Sequence, residues 1–338
     1  MAGNAIAQQP AHRWAIVVHG GAGVIERATM KPDTEKAYRA SMQQATEAGA
    51  KVLDAGGSAL DAIEATIHIL EDDPLFNAGK GAVFTAEGKN ELDSAIMDGA
   101  TLKAGAVAGV TRTRHPISLA RAVMDKSPHV MLIGPGADAF AAQSGLEMVD
   151  PSYFFTERRW QQLLQQLKKE NRPLPARPAG APPEPGQPVS ALEPPDAHKY
   201  GTVGVVALDK NGNIAAGTST GGLQAKSWGR VGDSPIIGAG TYASNQSCAV
   251  SGTGTGEYFI RLTIAREVCD LVRFKGMKLQ DAADQVIHKE LQDLHGDGGL
   301  IAITPDGQMA WSFNTPGMYR ARLAQGGQLH IGIYNDEP

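Results

Sequence analysis

The spacing of apolar positions divides the chain into strand-like and helix-like stretches before any single residue is considered. Trp14-Ala15-Ile16-Val17-Val18 is an unbroken apolar run, the pattern of a buried strand, and it leads into His19-Gly20-Gly21-Ala22-Gly23. From 33 to 53 the period changes: Tyr38, Met42, Ala45, Gly49 and Val52 fall on one helical stripe. Gly56-Gly57 ends that helix, and Ser58 is placed to cap the next, with Asp61 three residues on. In this second helix Leu60, Ile63, Ile67 and Leu70 recur at helical spacing until Pro74 stops it, and a loop runs to Gly81.

The same reading places strands at 91–97 and 104–110 around the turn Asp98-Gly99, a helix from 116 to about 126, and a strand at 129–133. Gly134-Pro135-Gly136 opens a helix ending near Gly145, and Trp160, Leu163, Leu164 and Leu167 mark an amphipathic one. A hairpin is expected at 203–208 and 214–218, around Asp209-Lys210-Asn211-Gly212. Strands at 236–239 and 249–251, helices at 258–274 and 279–294, and strands at 300–304 and 309–313 complete the pattern. Strands and helices come in blocks and hairpins outnumber βαβ units, so the expected class is α+β, with helices covering sheets in one layered domain.

Composition narrows the functional classes. The chain has 338 residues, 42% of them hydrophobic, which is enough for a large core. A net charge of -5 with scattered basic residues carries no footprint for nucleic acid. No run of about 18 apolar residues is present, so no membrane span is expected. Residues 1–12 are polar and do not resemble a secretory signal. Cys248 and Cys269 are too few for a disulfide framework and lack metal-ligand spacing. A cytoplasmic protein is the expectation. The tract 172–196 holds nearly half of the chain's 20 prolines and few large apolar groups, the composition of a mobile linker. It ends six residues before Thr202.

That position draws attention to Gly201-Thr202-Val203-Gly204-Val205-Val206-Ala207-Leu208-Asp209. A Gly-Thr bond where a linker meets a strand suits cleavage by the threonine's own hydroxyl. The new terminus then carries nucleophile and amine base on one residue. The plain alternative is a strand that begins with a good β-former. His19-Gly20-Gly21-Ala22-Gly23 can present backbone N–H groups to an anion, but it is not a G-x-G-x-x-G fingerprint, and His19 reads as structural. Thr218-Ser219-Thr220-Gly221-Gly222 and Ser251-Gly252-Thr253-Gly254-Thr255-Gly256 can set hydroxyls and N–H groups around a reacting carbonyl. Arg230 and Asp233 suit the carboxylate and ammonium of an amino acid, or else form a surface ion pair of little worth.

Taken together, the nucleophile segment 202–209 and the segments 19–23, 74–81, 219–222, 229–233, 253–257 and 313–320 resemble the plant-type (type III) L-asparaginase / isoaspartyl aminopeptidase family. These are N-terminal nucleophile hydrolases, and the matches run in family order over nearly the whole chain. Tyr200 departs from the pattern, which more often has His or Met there, and the linker is longer and richer in proline.

The resemblance implies a four-layer αββα sandwich made of an α subunit (1–201) and a β subunit (202–338), cut at Gly201–Thr202, and a dimer of such αβ heterodimers. It implies hydrolysis of L-asparagine and β-aspartyl dipeptides through an acyl-enzyme on Thr202. Thr220 and Asn77 would lie beside the nucleophile, and Thr253 and Gly254 would form the oxyanion hole. Arg230 would hold the α-carboxylate; Asp233 and the Gly256 carbonyl would hold the α-amine. No organic cofactor is implied. A structural sodium ion is, ringed by the backbone carbonyls of Leu70, Glu71, Asp73, Phe76, Ala78 and Lys80. The rival for that loop is a calcium site built on Glu71, Asp72 and Asp73. Glycosylasparaginase of the same fold and a non-catalytic binder of small anions are the alternative functions.

Overall fold

A computed structural model describes residues 13–183 and 201–337. Residues 1–12, Tyr200 and the part of the proline-rich tract from 184 to 196 lie outside the described residues. The first strand, β1 (Ala15–Gly23), is buried along its whole length and runs on through the glycine segment. Two helices follow. In α1 (Pro32–Asp54), Pro32 suits the first helical turn, and Tyr38, Met42, Ala45 and Leu53 are buried. In α2 (Ala59–Asp72) the expected cap is present: Ser58 accepts from the Asp61 backbone N–H and the Asp61 side chain accepts from that of Ser58.

Strands β2 (Leu92–Asp98) and β3 (Ala104–Val110) form a hairpin, followed by α3 (Pro116–Lys126), β4 (Met131–Ile133), α4 (Gly134–Gln143) and α5 (Glu157–Lys169). The second half contributes β5 (Val203–Leu208), β6 (Ile214–Thr220), β7 (Thr241–Ala243), β8 (Ala249–Gly254), α6 (Gly256–Leu262), α7 (Ile264–Lys275), α8 (Leu279–Gln285), β9 (Gly298–Ile303), β10 (Met309–Phe313), β11 (Gly317–Ala324) and β12 (His330–Tyr334).

Eight strands make one sheet in the order β12-β11-β1-β5-β6-β2-β3-β4, and four make a second, β10-β9-β8-β7. All named pairings are antiparallel except β3 with β4. Side chains of β1 and β5 alternate between two cores, as the period of a strand requires. Ile16, Val18, Val205 and Ala207 join Met42, Ile63 and Ile67 of α1 and α2. Ala15, Val17, Val206 and Leu208 instead join Val250, Leu300, Val268 and Leu271 of the second sheet and α7. Helices therefore lie outside two stacked sheets, the αββα arrangement.

Several expectations need correction. The segment 236–239 is a turn, not a strand, wound around Asp233: the N–H groups of Ile236 and Gly240 both donate to the Asp233 carbonyl. The helix expected at 258–274 breaks at Thr263, which takes a left-handed φ of 49°. The cause is visible in the first turn of α7, where the N–H groups of Ala265 and Arg266 are taken by the carbonyls of Ala239 and Gly238. Strands β11 and β12 went unexpected, β11 because a buried Arg320 interrupts its apolar alternation.

The proline tract is not free in its described part. Arg172 donates to Ser227 Oγ at 2.7 Å and Arg177 pairs with Glu157 at 2.5 Å, tying 172–183 to the body. Cys248 and Cys269, too few for a framework of disulfides, nonetheless form one buried disulfide between the end of the β7–β8 turn and α7. Sequence composition cannot reveal this pairing, because it depends on the two positions meeting across the second core.

Candidate active site

Strand β5 is held on both sides, Gly204 opposite His19 of β1 and opposite Thr218 of β6, which fixes its first residues at the edge of the sandwich. Thr202 stands there, 8% exposed, with Oγ1 3.0 Å from Thr220 Oγ1 at the end of β6. Thr220 Oγ1 also accepts from the Gly222 N–H at 2.9 Å, so its own proton is directed away from that donor. A cavity of about 10 Å³ is lined by Thr202, Thr220, Gly222, Arg230, Gly232, Asp233 and Gly254 among others. Five residues far apart in the sequence and singled out there thus share one small space, room for about one water.

The surroundings of the Gly201–Thr202 peptide are tight. The Asn77 N–H donates to the Gly201 carbonyl at 3.2 Å. Gly21, at φ 107°, approaches so closely that a methyl group on it would lie 2.5 Å from Gly201 Cα. Asn77 is itself fastened: Nδ2 donates to the Gly222 carbonyl at 2.8 Å and Oδ1 accepts from the Val83 N–H at 2.9 Å. Thr253, fully buried, accepts from the Ala22 N–H at 3.3 Å, and Gly254 packs against the Asp297 carbonyl and Gly298. Neither Asn77 nor Thr253 lines the cavity; they stand behind its walls.

Arg230 and Asp233 do not form the surface pair that their spacing allowed. Arg230 makes a bidentate contact with Glu257, both distances 2.9 Å, a partner the sequence reading missed. Asp233 is buried, and its Oδ2 has no hydrogen-bond partner among the described residues. Burial pushes its carboxyl up to about 6, against the pull of Arg230. Gly256 fits between the two, since a methyl group there would lie 2.8 Å from both Arg230 Nη2 and Asp233 Oδ1.

Behind the site, His19 Nε2 meets Ser251 Oγ at 3.0 Å. Burial pulls its pKa down to about 3, opposed by the backbone of Thr202. A structural histidine is what the sequence suggested. Lys226 and Asp93 form a buried ion pair, 3.8 Å apart, beside Gly222. Burial raises the Asp93 carboxyl and Lys226 counteracts it.

In the loop after α2, the three carboxylates expected of a calcium site point apart. Glu71 accepts from the Ile117 N–H and Ser219 Oγ, and Asp72 pairs with Arg114. Asp73 takes the Leu75 N–H and the Ser41 hydroxyl. Backbone carbonyls instead turn toward the glycines: methyl groups on Gly79 and Gly81 would lie 2.2 and 2.0 Å from the oxygens of Glu71 and Phe76. Of the six carbonyls expected around a cation, those of Glu71 and Phe76 thus face glycines, and those of Asp73 and Ala78 accept from the N–H groups of Phe76 and Gly81.

The family model described as Asparaginase matches residues 12–333. The chain is 49% identical to the isoaspartyl peptidase of Escherichia coli (strain K12) over 322 residues, 95% of this chain and 96% of that protein. It is 48% identical to the isoaspartyl peptidase of Salmonella typhimurium over 95% of this chain and 98% of that one. It is 42% identical to the plant-type L-asparaginase of Pyrococcus abyssi over 92% and 97%.

Asp233 generates a stability test. Its carboxyl is pushed up to about 6 in the fold, against an ordinary value of 3.8, so the unfolded chain loses its proton first. The neutral carboxyl costs the fold nothing at pH 4; as pH rises through about 6 a penalty of about 3 kcal/mol accrues and then levels off. Asp233→Asn is expected to melt above the parent at pH 8, with the gap closing by pH 4. An equal gap at both pH values contradicts the assignment.

Proposed function

The chain belongs to the asparaginase family, and from that premise we infer that it is an amidohydrolase that cuts itself at Gly201–Thr202 and then uses Thr202 as nucleophile. It hydrolyses the side-chain amide of L-asparagine and the β-aspartyl bond of isoaspartyl dipeptides, in keeping with the names of its relatives. The observation that carries the residue assignment is the Thr202–Thr220 hydroxyl pair in one cavity with Arg230 and Asp233.

Self-cleavage begins with Thr202 Oγ1 attacking the Gly201 carbonyl carbon. The Asn77 N–H on that carbonyl oxygen supports the step by stabilising charge as it develops. The C–N bond breaks, the acyl group passes to oxygen, and the nitrogen becomes the amine of Thr202. Water then splits the ester into a Gly201 carboxylate and free Thr202. Release of the upstream end gives a substrate the room that a cavity of about 10 Å³ lacks.

In the mature site the α-amine, with an ordinary pKa of about 7.7–8.0, accepts the hydroxyl proton near neutrality. Thr202 Oγ1 attacks the β-carbonyl of the substrate, whose oxyanion faces Thr253 and Gly254. The leaving nitrogen takes the proton and departs as ammonia or an amino acid, and water releases aspartate. Arg230 binds the α-carboxylate, while Asp233 and the Gly256 carbonyl receive the α-ammonium. Thr220 orients the Thr202 hydroxyl. A sodium ion on the 70–80 carbonyls would supply fixed positive charge that keeps the Asn77 loop in place. The α (1–201) and β (202–338) chains are further proposed to pair into a dimer of heterodimers. The cytoplasm is the proposed compartment from composition, although the Cys248–Cys269 bridge is of a kind that forms in oxidising surroundings.

Two outcomes are expected. Thr202→Ala should remain one chain in intact-mass analysis while the parent yields two, split after Gly201; efficient processing of the variant rules out a self-catalysed cut. Sodium chloride should raise the melting temperature beyond what equal tetramethylammonium chloride gives, and calcium should add nothing specific. A calcium-dependent rise abolished by Asp72→Asn with Asp73→Asn would restore the carboxylate reading.

A further inference from the structure

A guanidinium is a planar fork with more than one usable edge, and in Arg230 one edge is already occupied. Nε and Nη2 each lie 2.9 Å from a carboxylate oxygen of Glu257. Nη1 is turned the other way: methyl groups built on Gly232 and Gly222 would stand 2.7 and 3.6 Å from it, and both glycines line the cavity that holds Thr202. Glu257 approaches from the solvent side, its side chain 53% exposed against 19% for Arg230. Asp233 approaches from the buried side, across Gly256, with Oδ2 unpartnered among the described residues.

We propose that Glu257 is a positioning residue that makes the site demand a zwitterionic head group: it holds Arg230 by one edge, presents the other to the substrate, and cancels enough of its charge that a carboxylate is accepted only together with an ammonium for Asp233. The proposal rests on the amidohydrolase reading above. The charge count gives the reason. Arg230 contributes one positive charge and Glu257 and Asp233 one negative charge each, leaving this cluster at −1 when both are ionised. The nearby Lys226–Asp93 pair cancels itself. A zwitterionic substrate leaves the total unchanged, whereas a bare carboxylate takes it to −2 and adds repulsion. An Arg230 without Glu257 would attract either.

The test compares L-asparagine with succinamic acid, the same molecule without its α-amine, in the matured enzyme. The parent should turn over L-asparagine and disfavour succinamate. In Glu257→Gln, which removes the charge and keeps the shape, the ratio of kcat/KM for the two substrates should fall about tenfold, the scale of one charge-assisted contact at a half-exposed position. Glu257→Asp keeps the charge on a shorter arm, so it should raise KM for L-asparagine about tenfold, with kcat changed less than about threefold, and leave the ratio nearly as it was. An unchanged ratio in Glu257→Gln, or equal loss on both substrates in a variant that matures to two chains, overturns the proposal. Should Glu257→Gln fail to mature, Glu257→Asp decides: raised KM at constant ratio supports the proposal and unchanged KM overturns it. A parent that hydrolyses neither L-asparagine nor an isoaspartyl dipeptide would instead defeat the amidohydrolase reading.

Discussion

A chain of buried hydrogen bonds between the two sheets fixes where everything else must lie. His19 of β1 meets Ser251 of β8 at 3.0 Å, Ser251 meets Thr218 of β6 at 2.7 Å, and Thr218 meets Thr241 of β7 at 2.7 Å. All four side chains are fully buried, so losing any partner leaves a polar group unsatisfied at a cost of about 1–3 kcal/mol. The sheets cannot slide past one another without that loss. Between them lies Gly204, where a methyl group would come within 2.0 Å of Ser251 Oγ and 2.3 Å of His19 Nε2. Strand β5 is thereby locked in register: a slip by one residue brings Val203 or Val205 into a space that admits only glycine. Two residues upstream, Thr202 inherits that precision.

The charged groups follow from the same frame. Asp233 is buried because the 236–240 turn wraps it and α7 draws its first N–H groups onto that turn. Burial leaves Asp233 short of a partner and raises its pKa, a cost to stability that a bound ammonium would relieve. Arg230, one turn away, is steadied by Glu257 from outside. The proposed nucleophile thus sits directly before a strand paired on both sides, while its recognition groups sit on turns whose conformation is set by the second sheet.

How much of this could be read from the chain depended on how local the cause was. The Ser58 cap and the hairpin around Asp209, with β5 as its first arm, involve neighbours in sequence, and both were legible. Thr202, Thr220, Arg230, Asp233 and Gly254 were legible as a set through the resemblance of several short motifs, not through any one of them. What escaped depends on contacts made only after folding. Thr263 breaks a helix because carbonyls from a distant turn claim its N–H groups. Arg320 hides β11 from a periodicity search because it is buried against Trp311 and Phe313. Glu257 looks like an ordinary residue in the first turn of a helix until Arg230 is brought beside it. Cys248 and Cys269 are 21 residues apart, and only the packing of α7 on the second sheet joins them.

The central claim is that the hydroxyl of Thr202 carries the acyl group during turnover. The most direct measurement is rapid acid quenching during hydrolysis of L-asparagine, followed by intact-mass and fragment analysis of the smaller chain. The account predicts an ester-linked aspartyl group on the first residue of that chain, Thr202, which disappears as substrate is exhausted. An aspartyl group on another residue, or full turnover with isotopically labelled water entering aspartate and no acylated chain at any quench time, would contradict it.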